Sequence, residues 1–156
     1  MKGAVCVSYS TKFTTLVDPA DVAVATAHKW FRDDKGYVVF NQYKDGIRRR
    51  LRLHREILGS KKGDRTDHIN GDKLDNRRAN LRICTDSENN RNRRLSKNNL
   101  SRFKGVTYCK RRSNFYARVM KDRRSFFLGT FNTAEEAHAA YCNAARELHG
   151  EFFNPG

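Results

Sequence analysis

Asp67 and His68 are adjacent, Asn80 follows His68 by 12 residues and Asn89 follows it by 21. These residue types can do hydrolytic chemistry. A neutral imidazole titrates near pH 6.5 and can take a proton from water. A carboxylate and an amide oxygen are hard ligands of the kind Mg²⁺ prefers. With basic side chains to hold a phosphodiester, these are the parts that metal-assisted hydrolysis requires. The plainer reading of the same residues is a surface Asp-His pair and asparagines that shape turns. On residue types alone, both readings stand.

The surrounding pattern indicates what would position them. A strand is expected to end at Asp67-His68, and Asn70-Gly71 is a turn dipeptide. Asp72 to Ala79 is polar and reads as a loop, and Asn80 to Cys84 as a second strand. Thr85 with Glu88 fits a capping box, which starts a helix near Asp86 and puts Asn89 in its first turns. Upstream, His54 to Leu58 is a brief helix closed by Gly59. Gly36 to Phe40 and Ile47 to Leu53 read as strands joined by a turn at Lys44-Asp45-Gly46. Asp18 to Trp30 reads as a short helix, with Asp18 as N-cap and Pro19 at its first position.

The chain has 156 residues, with 32 Lys and Arg against 17 Asp and Glu, a net charge of +15. The excess is local: residues 48–100 hold 16 basic and 7 acidic side chains, whereas residues 1–47 hold 6 and 5. A basic excess confined to part of a chain fits a polyanion, nucleic acid first and an anionic membrane surface second. No apolar run approaches the roughly 18 residues that a membrane span needs. The opening apolar stretch is too short for a signal-peptide core. Cys6, Cys84, Cys109 and Cys142 make no C-x-x-C pair, so zinc knuckles are disfavoured and free thiols are expected.

Residues 93–104 are basic and polar and read as a linker. Beyond them, Phe115, Ala117 and Val119 alternate with Tyr116, Arg118 and Met120, the period of a half-buried strand. A turn at Lys121 to Arg124 leads to a further strand, Ser125 to Thr130, with Phe126 and Leu128 on one face. Thr133 and Glu136 form a second capping box. The helix it starts carries an apolar stripe of Ala134, Ala137, Tyr141, Ala144, Ala145 and Leu148, and Gly150 stops it.

Two resemblances sharpen these readings. LHREILG (Leu53 to Gly59) followed by TDHINGDKLDNRRANLRICTDSENNRNR (Thr66 to Arg93) resembles the HNH homing endonucleases common in bacteriophage genomes. The resemblance implies a ββα-metal finger in which His68 activates water, Asn80 holds the loop and orients the base, and Asp67 and Asn89 bind the metal. Asn89 stands where many relatives carry a final His, making this an H-N-N variant. Oxygen ligands imply Mg²⁺, with Mn²⁺ as the alternative. His54 matches an accompanying His-Arg element and is expected, with Arg55, to pack or to contact phosphate. Residues 101–154 resemble the plant ethylene-response-factor (AP2-like) DNA-binding domain, through FKGV (Phe103 to Val106), FYARV (Phe115 to Val119), LGTF (Leu128 to Phe131) and TAEEA (Thr133 to Ala137). That resemblance implies a three-stranded sheet facing DNA with a helix behind it. Phe127 stands in place of a Trp, so sequence preference does not carry over.

The expected fold class is therefore α+β: a small β-rich segment over 1–53, an HNH module over 54–92, a basic linker over 93–104 and an AP2-like domain over 105–156. The expected core of the last module includes Phe115, Ala117, Val119, Phe126, Leu128 and Phe131. Its DNA-facing set is Lys110, Arg112, Tyr116, Arg118, Arg123 and Phe127, with Ser125 on the same face. Arg48, Arg50, Arg55, Arg91, Arg93 and Arg94 are the expected phosphate contacts elsewhere. The function these readings imply is a metal-dependent, homing-type DNA endonuclease acting in a host cytoplasm, neither secreted nor membrane-bound, on double-stranded DNA. The alternative is a DNA-binding regulator without catalysis. An RNA-binding basic protein would leave Asp67, His68, Asn80 and Asn89 without a purpose.

Overall fold

A computed structural model of the chain describes residues 3–9, 13–92, 95 and 99–156. Among these, the fold mixes α and β, with several small antiparallel sheets and short helices. It divides into two compact units, residues 1–85 and 86–156.

The first unit opens with a hairpin of β1 (Val5–Tyr9) and β2 (Phe13–Val17). Pro19–Asp21 is a 3₁₀ turn and α1 covers only Val22–Thr26, much less than the helix expected from Asp18 to Trp30. Two valines and a threonine in those five residues favour helix poorly. The Asp18 carboxylate caps nothing in that turn; it accepts a hydrogen bond from the Arg78 backbone N–H at 2.7 Å. A second sheet follows in the order β3 (Phe31–Arg32), β4 (Val38–Lys44), β5 (Ile47–Arg52). Asp45 and Gly46, at φ 52° and 73°, make the expected tight turn between its last two strands. Helix α2 (Leu53–Leu58) ends at Gly59 in the left-handed conformation. β6 (Arg65–His68) then pairs antiparallel with β7 (Leu81–Cys84).

One apolar core joins these pieces. Val17, Ala25, Trp30, Val38, Leu53, Ile57 and Leu81 are buried together, drawn from the first hairpin, the three-stranded sheet, both helices and β7. Arg78 adds a polar clamp, with Nη2 and Nε at 2.7 and 2.9 Å from the two oxygens of Asp21. The Asp21 side chain is 3% exposed and that of Arg78 is 55% exposed. The two ends of the pair are thus unequally dependent on each other.

The second unit begins with α3 (Asp86–Arg91). Its sheet has the order β10-β9-β8, from β8 (Val106–Cys109), β9 (Asn114–Lys121) and β10 (Arg124–Phe131). Helix α4 (Ala134–His149) packs on one face of it, and the capping box is formed: Thr133 accepts from the Glu136 amide and Glu136 from the Thr133 amide. A β-bulge between Phe127 and Gly129 departs from the expected alternation. The extra residue, Leu128, resets the register, so Leu128 and Phe131 both reach the core that includes Ala117, Val119 and Ala137. Phe126, expected in that core, lies outside it and is 45% exposed. Among the described residues its strand has a neighbour on one side only.

Gly105, at φ +75°, lies directly against the Tyr141 ring, and a Cβ there would overlap the ring atoms. Gly105→Ala is expected to cost about 2–4 kcal/mol, from backbone strain plus overpacking. Gly46→Ala, with a similar φ and open space around it, should cost about 1 kcal/mol. Urea denaturation of the two variants measures the difference. Arg78→Ala strands a buried carboxylate and should destabilise the chain by about 3 kcal/mol. Asp21→Asn leaves an arginine that water can reach and should cost clearly less. The same titrations rank this pair.

Candidate active site

β6 carries Asp67 and His68 to its last two positions, and both are buried, at 8% and 4% exposure. Asp67 is paired across the ladder with Arg82, whose Nη2 and Nε lie 3.0 and 3.3 Å from Oδ2. His68 sits among aromatic rings. Its centroid is 4.9 Å from that of His54 on α2 and 6.1 Å from that of Tyr37. Tyr37 is 5.3 Å from His54, and Lys73 Nζ lies 4.4 Å above the tyrosine ring. Burial holds the His68 imidazole below its ordinary pKa, while a hydrogen bond to Asn76 and the nearby Asp67 pull the other way. His54 is pushed down to about 3, first by burial and then by His68, Arg52 and Arg55. Both imidazoles are therefore neutral at pH 7, the form in which His68 can accept a proton.

The loop from Ile69 to Asn80 is held by its own polar side chains. Asn80 Oδ1 accepts from the Asn70 amide at 2.9 Å and its Nδ2 donates to the Asp75 carbonyl at 2.8 Å. Asn70 Nδ2 donates to Asp75 Oδ2 at 2.9 Å. Arg77 grips Asp75 with two bonds of 2.7 Å and holds its carboxyl below the usual carboxylate range. Asn80 thus braces the turn. Asn76 Oδ1 lies 3.2 Å from His68 Nε2. Sequence reading left Asn76 and Arg82 unassigned. In a loop crowded with Asn and Asp, Asn76 reads as one more turn former. Strand alternation alone does not announce that Arg82 faces Asp67.

Asn89 lies on α3, in the second unit, and is half-buried. Arg91, on the same helix, has Nη2 3.4 Å from Asp122 Oδ1. Arg93 and Arg94 fall outside the described residues. Arg55 donates to the Asp64 and Lys61 carbonyls at 2.8 and 2.7 Å and so ties down the loop after α2. Arg48, Arg50 and Arg52 alternate along β5 and share a face. Asn41 opposite them accepts from Arg48 at 3.2 Å and from Arg50 at 3.3 Å, which orients both guanidinium groups.

In the second unit the pairing puts Arg118 opposite Phe127 and Met120 opposite Ser125, on the face away from α4. Tyr116 is on the same face, with the Arg118 guanidinium 5.5 Å above its ring. Phe127 is 67% exposed. Arg123 is in the β9–β10 turn, and Lys110 and Arg112 in the β8–β9 turn, all exposed. A basic rim around exposed aromatic and guanidinium groups suits a nucleic-acid backbone and base edges.

No helix among the described residues is long and apolar enough to cross a membrane.

Comparison with known proteins bears on both units. Residues 101–151 match the AP2 domain, the stretch that holds the three-stranded sheet and α4. Residues 60–91 match the HNH endonuclease family, and this stretch contains β6, the braced loop, β7 and α3. "Protein 3.8" of Escherichia phage T7 is 29% identical over 114 residues, 72% of this chain and 93% of that protein. "Uncharacterized HNH endonuclease L560" of Acanthamoeba polyphaga mimivirus is 33% identical over 138 residues, 85% of this chain and 68% of that protein. With a viral relative one-third identical across most of both chains, and a family match that falls on the Asp67–His68 strand, the chain belongs to the HNH endonuclease family.

Proposed function

We propose that this protein is a homing-type DNA endonuclease that hydrolyses a phosphodiester with His68 as the general base. The observation that carries the reading is His68 itself, a buried, neutral imidazole beside a buried carboxylate within the HNH match. Membership of the family supports nuclease activity, and the AP2 match supports DNA binding.

HNH nucleases typically use a divalent metal. Among the described residues no group of three or more His, Cys, Asp and Glu could cage an ion. Mg²⁺ is commonly held by one or two carboxylates together with substrate phosphate and water. By the family resemblance Asp67 and Asn89 are the residues that would hold it, and their oxygen donors suit Mg²⁺ or Mn²⁺. When bound, the ion supplies stabilisation of charge on the scissile phosphate and the departing oxygen. His68 takes a proton from water, and the oxygen of that water attacks phosphorus in line with the 3′ oxygen. The P–O3′ bond breaks and the departing 3′ oxygen takes a proton from solvent, leaving a 5′-phosphate and a 3′-hydroxyl. No covalent enzyme intermediate forms. Tyr116, Arg118 and Phe127 engage the DNA through the second unit, and Arg48 and Arg50 engage its phosphates through the first.

The test is cleavage of supercoiled plasmid and of phage genomic DNA by the full chain, with Mg²⁺ and with EDTA. Cutting should require the metal and fall by about 100-fold or more in His68→Ala, the contribution expected of a general base. Equal cutting by the variant would remove His68 from that role. DNA binding without cutting of either substrate would favour the regulator.

The pH profile of cleavage gives a second check. A base works unprotonated, and burial lowers the pKa of His68. Activity should therefore persist as the pH falls through the ordinary histidine value near 6.5 and decline only below it. Half-maximal loss above that value would contradict the assignment.

A further inference from the structure

We propose that Thr15, on the N-terminal hairpin, and Asn76, in the loop after β6, are positioning residues that lock His68 in the tautomer with Nε2 protonated, leaving Nδ1 as the nitrogen that takes the proton from water. The proposal rests on the reading of His68 as general base and assigns a task in that reaction to the first 17 residues, which lie outside the HNH match.

The hydrogen bonds that link Thr15, Asn76 and His68 fix which end of the Asn76 amide faces the imidazole. Carbonyl oxygens only accept. The Thr15 hydroxyl lies 2.6 Å from the Leu74 carbonyl, so its proton points there. Asn76 Nδ2 lies 2.7 Å from Thr15 Oγ1 and 3.3 Å from the Lys73 carbonyl. Both neighbours require a donor, which makes that end of the amide the NH₂ group. The other end is therefore the oxygen, and it faces His68 Nε2 at 3.2 Å. An amide oxygen cannot donate, so Nε2 must carry a hydrogen. The opposite tautomer would set two lone pairs against each other at a place where Asn76 and Thr15 are each 1% exposed. Little water reaches them to relieve that conflict, and a mismatched buried polar pair is costly.

The backbone keeps the relay from slipping. The Leu16 amide donates to the Leu74 carbonyl at 2.9 Å and the Asn76 amide to the Leu16 carbonyl at 2.8 Å. Thr15 and Asn76 are thus held on adjoining stretches of main chain, and turning the Asn76 amide over would break three contacts together. The chain of bonds runs from β2 through Thr15 and Asn76 to the imidazole. Asn80, which the resemblance assigns to holding the loop and orienting the base, makes these two side-chain bonds within the loop.

The experiment uses the full chain labelled with nitrogen-15 at histidine, without DNA or metal. Two-bond nitrogen–proton spectra near neutral pH identify the tautomer of each ring, with His68→Gln used to assign its signals. The expected result is the Nε2–H pattern for His68 in the wild type. In Thr15→Val, which keeps the shape and removes the hydroxyl, a mixture of tautomers is expected. Plasmid cleavage by that variant should show kcat reduced about 10- to 100-fold with KM unchanged, and Thr15→Ser should recover most of the loss. An Nδ1–H pattern or an even mixture in the wild type overturns the proposal. So does a folded Thr15→Val with wild-type spectrum and kcat. The wild-type spectrum reads the tautomer even in a chain that proves unable to cut DNA. Failure of the proposed activity and failure of this relay are therefore separate results.

Discussion

The loop between β6 and β7 has almost no apolar side chain with which to hold its shape, so its conformation depends on hydrogen bonds. Its sequence from Asn70 to Asn80 contains Asn, Asp, Lys and Arg with a single leucine. A stretch of that composition left to itself would remain solvated and mobile, because it buries too little to offset the entropy of ordering it. Here each end of it is tied to something already rigid. Arg78 reaches Asp21 and Asp18, Leu16 contributes an amide and a carbonyl, and Asp75 is gripped by Arg77 and Asn70. The N-terminal hairpin and the turn at Pro19–Asp21 thus supply the fixed surface on which the loop is moulded, and the loop in turn meets the imidazole.

The two units solve their packing by different means. The first gathers small contributions from many short elements into one core, so that Trp30, Val38, Leu53 and Leu81 come from segments distant in sequence. The second is simpler: one amphipathic helix on one twisted sheet, with alanines on α4 allowing close approach and Gly105 giving room to the Tyr141 ring. That economy leaves the other face of the sheet with no structural duty, and it carries Tyr116, Arg118 and Phe127 toward solvent.

Local signals were legible in the sequence wherever the physics is local. The Asp45-Gly46 turn, the Gly59 stop and the Thr133–Glu136 capping box each depend on a few adjacent residues, and each is present. The alternation of Ala117 and Val119 with Tyr116 and Arg118 was readable for the same reason. Features set at long range were not. The bulge at Leu128 depends on what the neighbouring strand and helix demand, although Gly129 beside it is the usual mark of one. The exposure of Phe126, although it pairs opposite the buried Val119, is not revealed by hydrophobicity alone. Arg55 looks like any other surface arginine until the loop after α2 closes over it. Asn76 reads as a turn residue because its partners, Thr15 and His68, are 61 positions before it and 8 before it. Of the expected site, the Asp67–His68 pair was singled out by the family resemblance rather than by its residue types, and the residues that constrain it are scattered.

The edge position of β10 has a consequence for the protein in solution. A strand with one unpaired side and adjacent phenylalanines, Phe126 and Phe127, offers another chain a template for intermolecular pairing. Arg123 and Arg124 stand at the start of that strand, and the bulge at Leu128 interrupts its regular register. Charge at the entrance and irregularity along the edge are the usual means by which a sheet discourages such pairing. Arg123 and Arg124 thus act as gatekeepers against self-association, and neutralising them would make colloidal stability the first property to suffer.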